Sequence, residues 1–211
     1  MTHPYHIIPK ERLGNVNDAI YAFSMTLLVT TISVPPKYLQ EAVRTPVYAV
    51  ITSDLPDLLH YFIAFIILAT FWYFEHQRFR HLSHLDRPLV VLNIASLAFV
   101  CLIPFTTNVA GDFPFDMLGA ILFETNIFLI GILAFVQWLY IRNHRSTLVP
   151  ELSETFIRRE IQWALVFPVL AVIGFAIAWL GIPTGTLVFL VAPFIMALLF
   201  WKDPVKAVMK N

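Results

Sequence analysis

The chain has 211 residues, of which 58% are hydrophobic and only 13% are charged. An average soluble domain carries about 25% charged residues, so this composition argues against a soluble enzyme and against a disordered protein. Lys and Arg together number 14, as do Asp and Glu, which leaves no basic excess to neutralise nucleic-acid phosphates. We therefore expect an all-α integral membrane protein, without a nucleic-acid partner, that forms one transmembrane domain over residues 1–211.

Six apolar runs follow one another along the chain, and each is close to the roughly 20 residues that a spanning helix needs. The polar N-terminal segment does not have the pattern of a cleaved signal peptide. Pro104, Pro168 and Pro193 are expected to kink the third, fifth and sixth runs. The predicted spans cover about residues 16–34, 58–74, 88–110, 117–141, 161–180 and 186–201.

The basic residues predict the orientation of these spans, because Lys and Arg collect in cytoplasmic loops. With six spans, twelve of the 14 basic residues fall on the side that holds both termini. Only Lys37 and Arg44 fall on the other side. We therefore expect both termini in the cytoplasm and a multi-pass protein of the cell membrane.

The first span carries the most polar side chains, beginning with Asp18 near its cytoplasmic end. Phe23, Leu27, Thr30 and Val34 recur at helical spacing and so share one face of this helix. Such a stripe either packs against a neighbouring helix or lines a pore.

A second group of polar residues is expected at the cytoplasmic ends of the first three spans. The predicted topology brings these ends to one depth, which favours a buried polar network. The alternative is an aromatic belt with an interfacial histidine. The network would contain Arg12, Asp18, Trp72, His76 and Asn93.

Two further sets of ionisable residues are candidates for a site. His76, His81 and His84 crowd the loop after the second span and could hold a metal, although histidines in a basic loop are more often solvated. Glu124 lies inside the fourth span, where it could be a proton or cation site or could remain neutral against a partner helix.

The first two thirds of the chain resemble the endosomal/lysosomal potassium channel family, also called the transmembrane protein 175 family, in its prokaryotic branch. Arg12 precedes Val16, Asn17 and Asp18 at the spacing of that family's R-x3-F-S-D motif, with Val16 and Asn17 as departures. Further matches to its aromatic, His, Asn and Pro-Phe-x-Thr positions are Phe65, Trp72, His76, Phe79, Asn93, Leu97, Pro104, Phe105, Thr106, Phe123 and Asn126.

This resemblance implies a channel in which four six-span subunits surround one pore lined by the first helix. By offset from Asp18, the pore constriction would lie at Phe23, with Leu27 and Thr30 on the following turns. The polar cluster of the family would map to Arg12, Asp18, Trp72 and His76. Potassium is the expected permeant ion, and no cofactor or structural metal is expected.

The sequence thus predicts a potassium-permeable cation channel, and not an enzyme, with a hydrophobic constriction on its first helix. We expect a homotetramer in contact with lipid and monovalent cations. Three alternatives stay open: a His-dependent metal-binding membrane enzyme, a non-conducting membrane protein of the same fold, and a proton conductor that uses Glu124 or Asp18.

Overall fold

A computed structural model of the chain describes residues 9–32, 46, 48, 51–52, 55–113, 116–182, 185–192 and 194–195. Within these ranges the protein is all-helical, as predicted. The helices are α1 (Lys10–Leu27), continued by a 3-10 helix (Leu28–Thr31), α2 (Leu55–His81), α3 (Arg87–Asp112), α4 (Met117–Asn143), the single turn α5 (Arg145–Leu148), α6 (Glu154–Ala164), α7 (Val166–Trp179) and a second 3-10 helix (Gly185–Val191).

Among the described residues, four helical runs are long and apolar enough to cross a membrane: α2, α3, α4 and the α6–α7 run. The apolar segments predicted at 88–110 and 117–141 lie inside α3 and α4. Helix α1 covers most of the predicted first span but is too polar to be counted with these four. The predicted sixth span, 186–201, lies partly outside the described residues, and Val34 and Pro193 lie outside them.

Side-chain caps define where several helices begin. The carboxylate of Asp86 accepts a hydrogen bond from the Leu89 amide at the start of α3, and it also accepts one from the Tyr140 hydroxyl. Asp116 caps α4 by accepting from the Leu118 amide, and Ser153 caps α6 by accepting from the Phe156 amide. These bonds satisfy amides that have no partner within their own helix.

The predicted fifth span is two helices, with a break at Leu165 between α6 and α7. Pro168 lies three residues after the break, and its ring nitrogen cannot donate the hydrogen bond that would tie it to the Ala164 carbonyl. In contrast, α3 continues as one helix through Pro104. A proline inside a predicted span therefore accompanies a break in one helix, at Pro168, and is accommodated without a break in the other, at Pro104.

Helix α1 packs against α2 and α3, while α4 packs against α3 on one side and α7 on the other. The larger apolar core joins these helices to the second 3-10 helix and includes Tyr21, Ile67, Val100, Ile127, Phe167 and Phe189. A second core lies at the end of the bundle where α1, α3 and α6 begin, and includes Leu13, Leu89, Trp138, Ile141 and Ile157.

Three segments of the chain meet at the end of the bundle that holds the second core. The Lys10 ammonium donates to the Leu82 carbonyl at 2.9 Å, which joins the start of α1 to the loop after α2. In the same loop, the Ser83 amide donates to the Leu148 carbonyl at 2.9 Å, which joins it to the segment after α4. The start of α1, the α2–α3 loop and the α4–α6 connection therefore lie side by side.

Candidate functional site

Helix α1 has one face packed into the bundle. Leu13, Asn17, Tyr21, Ser24 and Leu28 are all buried, and they recur at intervals of three and four residues. This spacing places them along one stripe, which fills the groove between α2 and α3. The packed stripe fixes the rotation of α1 about its own axis, and so decides which side chains the opposite face presents.

The opposite face of α1 is exposed and carries the predicted constriction residues. Phe23 is 65% exposed, Thr30 is exposed and Leu27 is half-buried. Ala22 and Thr26 are exposed beside them, so the face alternates one large aromatic ring with small side chains. Val34, the next member of the predicted stripe, lies outside the described residues.

The hydroxyl groups near the end of α1 donate to carbonyls of their own helix. Thr26 donates to the Phe23 carbonyl at 2.8 Å, and Thr30 donates to the Leu27 carbonyl at 2.6 Å. Thr31 makes the same bond to the Leu28 carbonyl. Because these donors are used, the exposed face offers hydroxyl oxygens as acceptors, which suits a cation or water better than an anion.

Part of the predicted polar network is assembled between the start of α1 and the end of α2. The Trp72 indole nitrogen donates to the Asp18 carboxylate at 2.8 Å, and so links α1 to α2. The His76 ring lies against the Trp72 ring with centroids 5.6 Å apart. Asp18, Trp72 and His76 therefore form one contiguous cluster.

The fourth predicted member, Asn93, belongs to a different contact. Its side chain donates to the Asn17 amide oxygen at 2.8 Å, and the Asn17 amide nitrogen donates back at 3.3 Å. Both side chains are buried, so this pair ties α1 to α3 inside the bundle. Arg12, the fifth predicted member, is exposed, and no hydrogen bond or ion pair joins its guanidinium to the described residues.

Two polar contacts here were missed by sequence reasoning. Asn17 is one, because it was read only as a departure from the family motif; its helical spacing from Leu13 and Tyr21 is the signal that could have found it. The other is the buried ion pair of Glu75 and Arg78 within α2. Their spacing of three residues is visible in the sequence. The sequence does not show that two charged side chains just beyond the end of an apolar run are buried.

A groove of about 380 Å³ separates the start of α1 from the end of α2. Asp18, Trp72 and His76 line it, so the cluster described above faces an open space and is not sealed inside the bundle. The other ionisable residues on its walls are Lys10, Glu11, Glu75 and Arg80.

The histidines after the second span have separate partners. His76 lies against Trp72, His81 packs against the Phe156 ring with centroids 5.2 Å apart, and His84 lies 3.2 Å from the Ser83 hydroxyl. Across the described ranges, no three His, Cys, Asp or Glu side chains converge in a way that could hold a metal ion.

Glu124 lies apart from α1, on the face of α4 that packs against α7. It is buried, and neither of its carboxyl oxygens has a hydrogen-bond partner in the part of the chain that the structure describes. The structure therefore separates two features: an exposed face with a polar cluster on α1, and a single buried carboxyl between α4 and α7.

The fold defines a multi-pass, all-helical membrane protein. Residues 12–104 match the model of the family described as endosomal/lysosomal potassium channel TMEM175. The human endosomal/lysosomal proton channel TMEM175 is 32% identical over 152 residues, which cover 68% of this chain and 30% of that protein. A potassium channel of Streptomyces collinus is 26% identical over 106 residues, which cover 48% of each chain.

A similar fold has been solved for a lysosomal potassium-selective channel TMEM175 homologue from Chamaesiphon minutus, with a TM-score of 0.77 and 20% identity. The match covers 90% of this chain and 96% of that chain. Together these similarities show that residues 12–104 resemble the TMEM175 family and that the chain shares the fold of a solved TMEM175 homologue. The chain spans less than a third of the human relative's length. The relatives are named as ion channels and not as enzymes.

Proposed function

We propose that the chain is one subunit of a potassium-permeable cation channel whose pore is lined by the exposed face of α1. The observation that carries this proposal is the unequal packing of α1. One stripe of the helix is locked into the bundle, whereas Phe23 on the opposite face remains 65% exposed. The potassium-channel names of the Streptomyces and Chamaesiphon relatives agree with this assignment.

The composition of the exposed face supports water over lipid as its surroundings. Asn15, Asp18 and Thr26 of α1 and Thr30 of the following 3-10 helix are exposed, beside the exposed apolar Val16, Phe23 and Val29. Polar side chains at membrane depth are expensive in lipid and are normally directed to a protein contact or a water-filled cavity. A helix that presents them opposite a packed stripe is therefore suited to a pore or to a contact with another subunit.

Phe23 would form the constriction. A ring of large apolar side chains excludes water, and an ion that enters it loses hydration without gaining a ligand. The barrier is lower for a weakly hydrated cation such as K⁺ than for Na⁺, so the ring can both gate and select. Conduction would then require the α1 helices to move apart or the Phe23 rings to turn.

The finer architecture belongs to the same proposal: six spans, both termini in the cytoplasm and four copies around one pore. One helix cannot enclose a pore, so a symmetric oligomer is required. The contacts that bring the start of α1, the α2–α3 loop and the α4–α6 connection to one end support the predicted orientation, because the described Lys and Arg residues lie in these segments or in the helices next to them.

The first test is the reversal potential of purified protein in planar bilayers, with KCl on one side and NaCl on the other. A current that reverses near the K⁺ equilibrium potential supports the proposal. A current that reverses near the H⁺ potential when a pH gradient is imposed would favour the proton conductor, as the name of the human relative suggests. No current from an intact oligomer would favour the non-conducting alternative.

Substitution of Phe23 tests the constriction itself. Phe23→Ala should raise the cation flux and lower the K⁺/Na⁺ permeability ratio, because the apolar barrier is shortened. The matched control is Phe62→Ala on α2, since Phe62 is exposed to a similar extent, 56%, but does not lie on α1. If both variants conduct as the unmodified protein does, residue 23 is not the constriction.

A further inference from the structure

The carboxyl group of Glu124 has an unusual environment for a charged residue. The side chain is 1% exposed, and neither oxygen has a hydrogen-bond partner among the described residues. The buried Glu75 differs, because it forms an ion pair with Arg78. A buried acid without a partner is far costlier when ionised than when neutral.

Two glycines make room for this carboxyl group. A Cβ atom added to Gly174 on α7 would lie 2.6 Å from a Glu124 carboxyl oxygen. One added to Gly185, at the start of the second 3-10 helix, would lie 2.9 Å from the same oxygen. The carboxyl therefore occupies a space that any larger residue at either position would fill.

Charged groups that could stabilise a carboxylate are lacking on the facing elements. Helix α7 and the second 3-10 helix contain no ionisable residue. One polar contact joins α2 to the second 3-10 helix: the His60 ring nitrogen lies 3.1 Å from the hydroxyl of Thr186, the residue after Gly185. The other helices packed against α4 are α3, α5 and α6. Their ionisable residues are Arg87, Cys101, Asp112, Arg145, Glu154, Arg158, Arg159 and Glu160, none of which bonds to Glu124.

A cavity of about 190 Å³ connects this carboxyl to the outer surface of the bundle. Its remaining walls are Thr125 and Phe128 of α4 and Ala171, Val172 and Phe175 of α7. Thr125, Val172 and Phe175 are exposed. Since α4 and the α6–α7 run are apolar enough to span the membrane, the cavity opens on a surface at membrane depth.

We propose that Glu124 is a proton-binding site: a carboxylic acid that holds its proton in the folded protein at neutral pH and is open from the bilayer to small apolar reagents. The proton removes the charge that the glycine-lined space cannot stabilise. The site is separate from the exposed face of α1, and its test requires no ion current, so the proposed channel and this site can fail independently.

The proposal predicts a specific covalent reaction with an apolar carbodiimide. The carboxyl oxygen bonds to the central carbon of the reagent, and the acid proton moves to one of its nitrogens, which gives an O-acylisourea. Transfer of the acyl group from oxygen to nitrogen then gives a stable N-acylurea. No group leaves, so the modified peptide gains the full mass of the reagent. An ionised carboxylate in water lacks the proton that this addition uses.

The experiment treats the reconstituted full chain at neutral pH with diisopropylcarbodiimide and locates adducts by peptide mass spectrometry. We expect an adduct on Glu124, complete loss of that adduct in Glu124→Gln, and no protection by added K⁺ or Na⁺. No adduct on Glu124 in the folded protein overturns the proposal. Protection by K⁺ or Na⁺ also overturns it, because the occupant would then be a metal cation.

A second measurement follows thermal stability with pH. If folding holds a proton on Glu124, raising the pH favours the unfolded chain, in which the carboxyl ionises freely. The midpoint of unfolding of the unmodified protein should therefore fall with rising pH relative to that of Glu124→Gln, whose amide cannot ionise. The comparison cancels the contributions of the ionisable groups that the two proteins share. Parallel curves for the two proteins would overturn the proposal.

Discussion

The Asn17–Asn93 pair is the most specific contact between α1 and the bundle, because its two amides satisfy each other away from water. Removing one partner leaves the other amide buried and unbonded, whereas removing both removes the need for the bond.

We expect Asn93→Ala to lower the free energy of unfolding by about 1–3 kcal/mol. The double variant Asn17→Ala/Asn93→Ala should cost less than the sum of the two single variants. Denaturant titration of the four proteins in detergent measures both effects. Strict additivity would mean that the two amides do not depend on each other.

Two variants of the Asp18–Trp72 contact distinguish the effect of its hydrogen bond from the effect of the Asp18 charge. Trp72→Phe removes the indole donor but keeps an aromatic ring beside His76, whereas Asp18→Asn keeps an acceptor oxygen and removes the charge. If the bond positions α1, Trp72→Phe should impair oligomer assembly or channel opening more than Asp18→Asn does.

If the negative charge near the pore entrance is what matters, the order of the two variants is reversed. Size-exclusion chromatography and bilayer recordings of both proteins measure assembly and opening separately. Unchanged flux and an intact oligomer in both variants would remove this contact from the mechanism.

Sequence reasoning reached these residues unequally. Asp18, Trp72 and His76 could be brought together from topology alone, because the predicted spans place the end of α2 beside the start of α1. Asn93 could be placed at the right depth, but its partner could not be chosen, since depth does not give the rotation of a helix. That rotation depends on the packing of Leu13, Tyr21 and Leu28 between α2 and α3.

At the scale of helices, hydropathy located the apolar middles better than the ends. The predicted second span stops at residue 74, whereas α2 continues to His81. The backbone can remain helical after the apolar run ends, because the pair of Glu75 and Arg78 neutralises two charges that would otherwise be buried singly. An ion pair of this kind is invisible to a hydropathy average.

The close approach of α4 and α7 depends on Gly131. A Cβ atom added there would overlap the Pro168 ring, so Gly131→Ala should push the helices apart and cost about 1–3 kcal/mol. The matched control is Gly14→Ala in α1, where an added Cβ meets nothing within 4 Å. That control should be neutral or stabilising by up to about 1 kcal/mol.

Thermal unfolding in detergent measures both glycine variants. Equal midpoints would indicate that α4 and α7 are not held as close as the structure has them. A lower unfolding midpoint in Gly131→Ala alone would show that α4 packs closely against the ring of Pro168, the proline that follows the break between α6 and α7.

At the scale of the whole molecule, the exposed face of α1 and the open groove beside it mean that one copy of the chain does not enclose the proposed pore. The charge distribution and the apolar runs were sufficient to predict a multi-pass, all-helical protein. They could not reveal how copies of the chain would meet. A residue that is exposed in a single copy can contact either another copy or lipid, and the sequence does not distinguish the two.

Cysteine cross-linking distinguishes these two reasons for exposure. Cys101 is the only cysteine of the chain, so Cys101→Ser gives a background without thiols. If four α1 helices surround one axis, Phe23→Cys in this background should give dimers with a short bis-maleimide, because residue 23 of neighbouring copies faces the same pore. Leu118→Cys on α4 is the control, since Leu118 is 69% exposed but lies on an apolar helix away from α1. Cross-linking at residue 118 as efficient as at residue 23, or none at residue 23 in an intact oligomer, would place α1 outside the pore.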